Sequence, residues 1–398
     1  MKVELVKKID YYLGRPLCFF LSLISKIFRF KKKPSVKKIL FLGISEMGSI
    51  ILSYPAVKKV KELYPFAEVY FCTFRRNREI LEILNITSKE KLILIEDKSL
   101  WKFPMSVLRA VLRLRKERID AVIDMELFSR FSAILSYLST APIRVGFYKF
   151  AQEGLYRGEL HTHKVYYNPY KHISLNFINL VNSLKYSYRE FPLLREPQEK
   201  EIPELPKIVV SEEEKREILL RLNVDAEEQK KVVVINLGTG QLLPIRKWPL
   251  KNYLELIKKL TSFSEVLVYI IGLEPNEEEA RVLKIVTEAF RCISLVGRTT
   301  LRDIIALFQV ATLFISHDSG LVHLASLTPV NILALFGPET PLVYGPLSSQ
   351  SRVIYLNFAC SPCFSAYNHR TSFCKENKCL EAIKVEDVYK LAKDYLGL

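Results

Sequence analysis

The stretch Ala311–Pro346 reads ATLFISHDSGLVHLASLTPVNILALFGPETPLVYGP and packs strand, polar turn, helix, strand and Gly-Pro loop into 36 residues. Thr312–Ser316 and Val330–Phe336 are short apolar runs of β-forming residues, with Leu321–Leu327 between them at helical spacing. The pattern predicts a βαβ unit. His317-Asp318-Ser319-Gly320 then falls where the first strand ends and the helix begins, the place where open parallel sheets bind ligands. Gly320 allows close approach of backbone N–H groups, which suit a phosphate, while Asp318 and Ser319 are placed to orient sugar or ribose hydroxyls. The same residue types also make an ordinary helix N-cap. His323 shares the helical face of Ser319, and FGPETP adds a second polar loop at the same sheet edge; His323 alone reads equally well as a hydrogen-bonded core residue.

The pattern recurs earlier in the chain. KVVVINLG from Lys231 is a buried strand, and TGQLLPIRKWPLKNYLELIKKL is a loop entering an amphipathic helix. Gly238, Thr239 and Gly240 can lay backbone N–H groups against a diphosphate, whose charge Arg246 and Lys247 would neutralise. Val266–Ile271 is the next strand, followed by Gly272-Leu273-Glu274. In the first half, KILFLG from Lys38 leads into a Ser45–Ser49 turn, a helix over 50–63 with Pro55 as kink or break, and a strand over Glu68–Thr73. Ala121–Asp124 reads as a strand and Met125–Arg130 as the loop after it, so Asp124 and Glu126 sit at a strand's carboxyl end. Arg130 is placed either to hold an anionic acceptor or simply to be solvated.

DSGLVHLAS followed by LALFGPETP resembles the donor-binding signature of glycosyltransferase family 9, the heptosyltransferase family. The resemblance covers roughly residues 36–360 and is most specific in the second half. It implies two Rossmann-like, doubly wound domains facing a cleft (GT-B type) and inverting, metal-independent transfer of a sugar, with no catalytic cofactor. The implied donor is ADP-heptose or a similar nucleotide-sugar, and the acceptor a lipopolysaccharide-type or other glycolipid. Arg246 takes the place of the family's phosphate-binding Lys in Arg246-Lys247-Trp248-Pro249, and Glu274 looks like the carboxylate that holds the donor's ribose. Where the family has a Gly-Asp pair bearing the supposed catalytic base, this chain has Gly48-Ser49. A serine is no base near neutral pH, so the expectation moves to Glu46 in the same turn, with Asp124 or Glu126 as alternatives. The missing Asp also admits a catalytically silent homologue that binds a nucleotide-sugar without turning it over.

A chain of 398 residues exceeds the usual size of one core, which predicts two domains. The net charge is +16, and residues 1–38 carry 11 basic and 2 acidic side chains, supplying +9 of it. In Leu17–Phe30, Ser22, Ser25, Lys26 and Arg29 form one helical stripe, with Leu17, Phe20, Leu21, Ile24, Ile27 and Phe28 opposite, and Lys31-Lys32-Lys33 follow. This reads as an amphipathic helix on an anionic membrane surface or, alternatively, as one packed on the protein itself. It is too short to span a bilayer, since only Pro16–Ser25 is free of charge. No small-residue cleavage site follows the run, so the expected location is cytoplasmic, peripheral on the inner face of the cytoplasmic membrane. No nucleic-acid module is recognisable, so nucleic acid is not an expected partner.

Cys360, Cys363, Cys374 and Cys379 fall within 20 residues. CxxC followed by CxxxxC suggests a loop held by structural zinc or by disulfides, or plain reduced thiols. His161, His163 and His172 lack a third ligand at metal-site spacing and are taken as loop residues. The expected organisation is a basic membrane-interface segment at 1–35, an acceptor-side domain at 36–194, a Pro- and charge-rich linker at 195–229, a nucleotide-sugar domain at 230–358, and a Cys-containing loop and C-terminal helix at 359–398.

Overall fold

In the first half of the chain six strands alternate with helices: β1 Lys38–Leu42, β2 Glu68–Phe74, β3 Leu92–Ile95, β4 Ala121–Asp124, β5 Ile143–Tyr148 and β6 His163–Tyr166. All pair in parallel, in the order β3-β2-β1-β4-β5-β6. The second half repeats the scheme with β7 Lys231–Asn236, β8 Val266–Ile271, β9 Cys292–Ser294, β10 Leu313–His317, β11 Asn331–Phe336 and β12 Ser351–Tyr355, in the order β12-β11-β10-β7-β8-β9. This is one topology used twice, the Rossmann order in which parallel strands are added first to one side and then, past one switch point, to the other. That point lies between β1 and β4 in the first sheet and between β7 and β10 in the second. The computed structural model describes residues 3–27, 35–44, 46–97, 99, 101–127, 129–149, 156–186, 193–194, 201–224, 230–238, 244–368 and 371–398.

The chain divides into two units, the first comprising Met1–Glu204 with Ala366–Arg370 and the second Leu205–Ser365 with Thr371–Leu398. The division falls inside the expected linker, but Leu205 onward is part of the second unit rather than a free connection. Ile208 N–H donates to Leu327 O, and the Glu212–Arg221 helix packs on the Leu301–Val310 helix, with Arg221 paired to Asp303.

Continuous apolar runs explain the parallel sheets. Ile39–Leu42 and Val232–Ile235 are buried on both faces because helices cover both sides. Each such side chain contributes about 1.5–3 kcal/mol by leaving water. In unit 1, Leu40, Tyr70, Ile93 and Val122 meet Val111 and Leu114 of the Lys102–Glu117 helix and Leu135 of the Arg130–Leu138 helix. In unit 2, Val233, Ile270, Leu313 and Leu333 are covered by Tyr253, Val286 and Val388. The expected single helix over 50–63 is instead two, Met47–Leu52 and Tyr54–Leu63, because Pro55 in the first turn of the second starts a new helix. Among the described residues no helix is long and apolar enough to cross a membrane.

Candidate functional site

The clearest cluster is in unit 2, where the loops after β7 and β10 flank the switch point. Asn236, the last residue of β7, donates from Nδ2 to Ser316 Oγ at 3.1 Å and Ser319 Oγ at 3.2 Å, and accepts from the Gly238 N–H at 3.2 Å. It thereby ties the two loops together. Gly272, at the end of β8, has φ of 153°, and a Cβ there would lie 3.5 Å from Asn236 Oδ1. That distance is ordinary contact, and it is the backbone conformation, rarely adopted by L side chains, that favours glycine where this third loop turns beside Asn236.

Arg246 Nη1 donates to Asp318 Oδ2 at 3.0 Å. Asp318 is 4% exposed, and Arg246 Nε is buried with no hydrogen-bond partner among the described residues. Lys247 Nζ pairs with Glu279 Oε1 at 2.6 Å, beside Gly238. The loop bearing these cations is fastened from the C-terminal segment. Asn377 Nδ2 donates to the carbonyls of Ile245 and Lys247, and the fully buried Trp248 donates from Nε1 to Ile383 O. Trp248 packs edge-on against Tyr253, whose hydroxyl meets His317 Nδ1 at 2.9 Å. Burial pushes His317 down to about 3, and the charges of Arg246 and Lys247 add to the shift. His317 is therefore neutral at physiological pH and acts as a strut. His323 is buried within the short Gly320–Ala325 helix, Ser319 and Gly320 are half-buried at its start, and Glu274 is exposed beyond β8. Thr239 and Gly240 lie outside the described residues.

At the switch point of unit 1, Glu46 is the N-cap residue of the Met47–Leu52 helix and half-buried, with Gly48 buried and Ser49 half-buried in the first turn. Glu126 accepts the Ile44 N–H at 2.6 Å, so its carboxylate sits at the same turn. Asp124 is placed otherwise. It is fully buried, bonded to Arg157, to Ser132 Oγ at 3.0 Å and to His161 Nε2 at 3.0 Å. Burial would raise its carboxyl, but Arg157, His161 and Ser132 together hold it below the ordinary range. Burial, then the Arg157 charge, pushes His161 down to about 4. The His161 ring lies where a Cβ on residue 146 would stand, 2.5 Å away, which explains Gly146 in the middle of β5. Asp124 thus organises the interior and is not an open base. Arg130 is likewise buried, and pairs with Asp10 at 2.9 Å instead of facing an acceptor. His161 and His163 are buried on or beside β6, not loop residues, because these polar partners satisfy them.

Of the four C-terminal cysteines, Cys360 and Cys363 lie near enough to Cys379 to raise its thiol electrostatically, after burial as the larger cause. Ser372 donates to Cys363 Sγ at 3.3 Å, Cys374 Sγ donates to Glu376 O at 2.7 Å, and Cys379 packs on Gly337. All four are unbridged, and among the described residues no group of three or more His, Cys, Asp or Glu is placed to hold a metal ion.

Asn236, Glu279, Asn377 and His317 were not singled out in the sequence for these roles. A strand-ending Asn before Leu-Gly is a usable signal for the first. Nothing local marks Asn377, whose task depends on a segment 130 residues away from Lys247.

The sequence model of glycosyltransferase family 9 (heptosyltransferase) matches residues 107–372, more than half of the chain. The chain belongs to this family. Lipopolysaccharide heptosyltransferase 1 of Campylobacter coli is 22% identical over 364 residues, 90% of this chain and 99% of that protein. Lipooligosaccharide heptosyltransferase 2 of Campylobacter jejuni is 25% identical over 169 residues, 42% of this chain and 51% of that protein. Its counterpart in Haemophilus influenzae is 26% identical, over 44% of this chain and 56% of that protein. The chain thus spans about half the length of these two curated relatives. Among solved structures, E. coli ADP-heptose lps heptosyltransferase II has a TM-score of 0.68 at 21% identity, covering 90% of this chain and 98% of that one. E. coli heptosyltransferase WaaC with ADP has a TM-score of 0.63 at 17% identity, covering 90% and 99%. These likenesses establish the fold of this family 9 chain as the two-unit Rossmann-like GT-B type.

Proposed function

We propose that the chain is an inverting, metal-independent glycosyltransferase that moves heptose or a related sugar from a nucleotide-sugar donor to a lipopolysaccharide-type or other glycolipid acceptor. ADP-heptose is the favoured donor. Family membership supports this reading, as do the names of the relatives and the ADP held by the WaaC neighbour. The observation that carries it is Arg246. Its guanidinium is pinned by Asp318 at the switch point of unit 2 while its buried Nε lacks a partner among the described residues, so a diphosphate oxygen there would complete its bonding.

In the proposed reaction an acceptor O–H loses its proton to Glu46 as its oxygen attacks the anomeric carbon. The bond from that carbon to the donor diphosphate breaks, and the electron pair leaves on the diphosphate. A single displacement inverts the anomeric centre. Arg246 and the Gly238 amide stabilise the charge that develops on the leaving oxygen, and Lys247, held by Glu279, adds a second positive charge. Asp318 and Ser319 orient donor hydroxyls, and Glu274 takes the ribose. Glu126, sharing the turn of Glu46, is the alternative base. The enzyme would work as a cytoplasmic protein at the inner membrane face.

Incubation with ADP-heptose and a heptose-deficient lipopolysaccharide core, followed by NMR of the product linkage, tests this. ADP release with an inverted linkage is expected. Ser49 at the family's Asp position favours one rival, a silent nucleotide-sugar binder; donor binding with neither transfer nor slow donor hydrolysis would support it.

A further inference from the structure

Most of the exposed bulky apolar side chains of unit 1 lie in two places. Of the 23 exposed large hydrophobic residues among those described, 13 lie between Ile9 and Ile24 or between Trp101 and Leu112. In the Lys102–Glu117 helix and its N-cap, Trp101, Met105, Leu108 and Leu112 recur at one helical face and are 93%, 51%, 51% and 56% exposed. The opposite face buries Ala110, Val111 and Leu114 against the sheet. A surface helix ordinarily turns charge outward. This one turns outward an apolar stripe, flanked by exposed Lys102, Arg109 and Lys116, with Glu117 its single acid.

The Gly14–Ile27 helix is mounted in a related way. Its small side faces inward: a Cβ on Gly14 would stand 2.9 Å from Arg130 Cβ, Cys18 is buried against Ala133 and Leu160, and Ser22 Oγ accepts the Glu159 N–H at 2.7 Å. Leu17, Phe20 and Ile24 are left 49%, 59% and 44% exposed. The helix thus packs on the protein by one side and leaves its apolar side outward. The two helices flank the same Arg130–Leu138 helix, through Phe103 on Phe131 at 5.7 Å and through Cys18 on Ala133.

We propose that these two helices form one docking face for an anionic lipid bilayer, with the Trp101 stripe as a second contact beyond the N-terminal segment. Apolar stripes with aromatic ends and a basic rim match the bilayer interface, where the rings sit at headgroup depth. Each basic residue near an anionic surface adds about fivefold in affinity. The +9 charge of residues 1–38 opposes a second copy of the chain as occupant, because self-association would bring those charges together. Docking here depends on surface chemistry alone, not on the proposed donor or acceptor.

The chain holds two tryptophans, of which Trp248 is fully buried and Trp101 is 93% exposed, so a change in emission reports on Trp101. The experiment titrates the full chain with phosphatidylcholine vesicles with and without phosphatidylglycerol. A blue shift and quenching by brominated lipid are expected only with phosphatidylglycerol. The pair Leu108→Glu and Leu112→Glu should weaken partition about tenfold or more. Phe66→Glu, at an equally exposed ring outside both stripes, should leave it unchanged. Vesicle binding without a Trp101 shift, equal loss in the Phe66 variant, no binding at all, or a lipid-free shift that grows with protein concentration would each overturn the proposal.

Discussion

Arg246 donates to Asp318 across 3.0 Å, and this pair joins the loop after β7 to the loop after β10, the two loops that flank the switch point of unit 2. Sequence alone gives the two residues separate tasks on donor phosphate and donor hydroxyls. Their pairing couples the tasks, because removing either strands the other's charge in a place poorly reached by water.

Arg246→Ala should lower turnover by about 10²–10³-fold through loss of charge stabilisation at the leaving diphosphate. Asp318→Ala should lower turnover and donor affinity together and also cost about 3 kcal/mol of stability, since it leaves Arg246 uncompensated. The double variant should be less impaired in stability than the sum of the two. Steady-state rates and denaturant unfolding of all four proteins check this; strict additivity would show that the pair does not act as a unit.

For the proton acceptor, Glu46→Gln should remove nearly all turnover while leaving donor affinity within about twofold, because the amide keeps the shape but not the basicity. Glu126→Gln should be milder. Retention of activity in the first with loss in the second would move the base to Glu126. Ser49→Asp should be tolerated and should restore some turnover to the Glu46→Gln protein if the turn is where the proton goes.

Asp124→Asn should destabilise unit 1 by about 3–5 kcal/mol, because the buried Arg157 then lacks a counter-charge. The same cluster sets a pH dependence. Folded His161 stays neutral down to about 4, whereas in the unfolded chain it takes its proton near the ordinary 6.5. The unfolded state binds more protons in that window, so stability falls as pH drops from 6.5 to about 4, and this contribution is flat below. Urea midpoints across that range should show the slope, and His161→Asn should flatten it.

Asp10 accepts the N–H groups of Arg130 and Phe131, both at 3.1 Å, and the Arg130 guanidinium, so it latches the N-terminal segment onto the start of the Arg130–Leu138 helix. Asp10→Ala should cost about 3–5 kcal/mol, since Arg130 is 1% exposed and its Nε and Nη2 already lack partners among the described residues. Hydrogen exchange should rise first over the Gly14–Ile27 helix. Unchanged protection there would mean that Cys18 and Ser22 hold the helix without the latch.

The parallel sheets and the loops at their carboxyl edges were legible because a buried parallel strand is a local signal: KILFL and KVVVIN each announce themselves in a few residues. Glu46, Gly238 and Asp318 follow from strand ends in the same way. Partnerships were not legible. Asp124 and Arg130 look from sequence like loop-edge polar groups, and only the fold supplies Arg157, 33 residues on, and Asp10, 120 residues back. The outward Trp101 stripe escaped for a related reason. A helical apolar period says that one face is buried, and only the packing of Val111 and Leu114 reveals a second apolar face left over.

Calorimetric titration of the intact chain with an ADP-sugar, repeated with Arg246→Ala and without added metal, tests the central claim most directly. A single donor site per chain is predicted, filled equally well in the presence of chelator. Affinity should fall only modestly in Arg246→Ala while the slow hydrolysis of bound donor falls about 10²-fold or more. Absence of nucleotide-sugar binding in the unaltered chain, or binding and hydrolysis both indifferent to Arg246, would contradict the account.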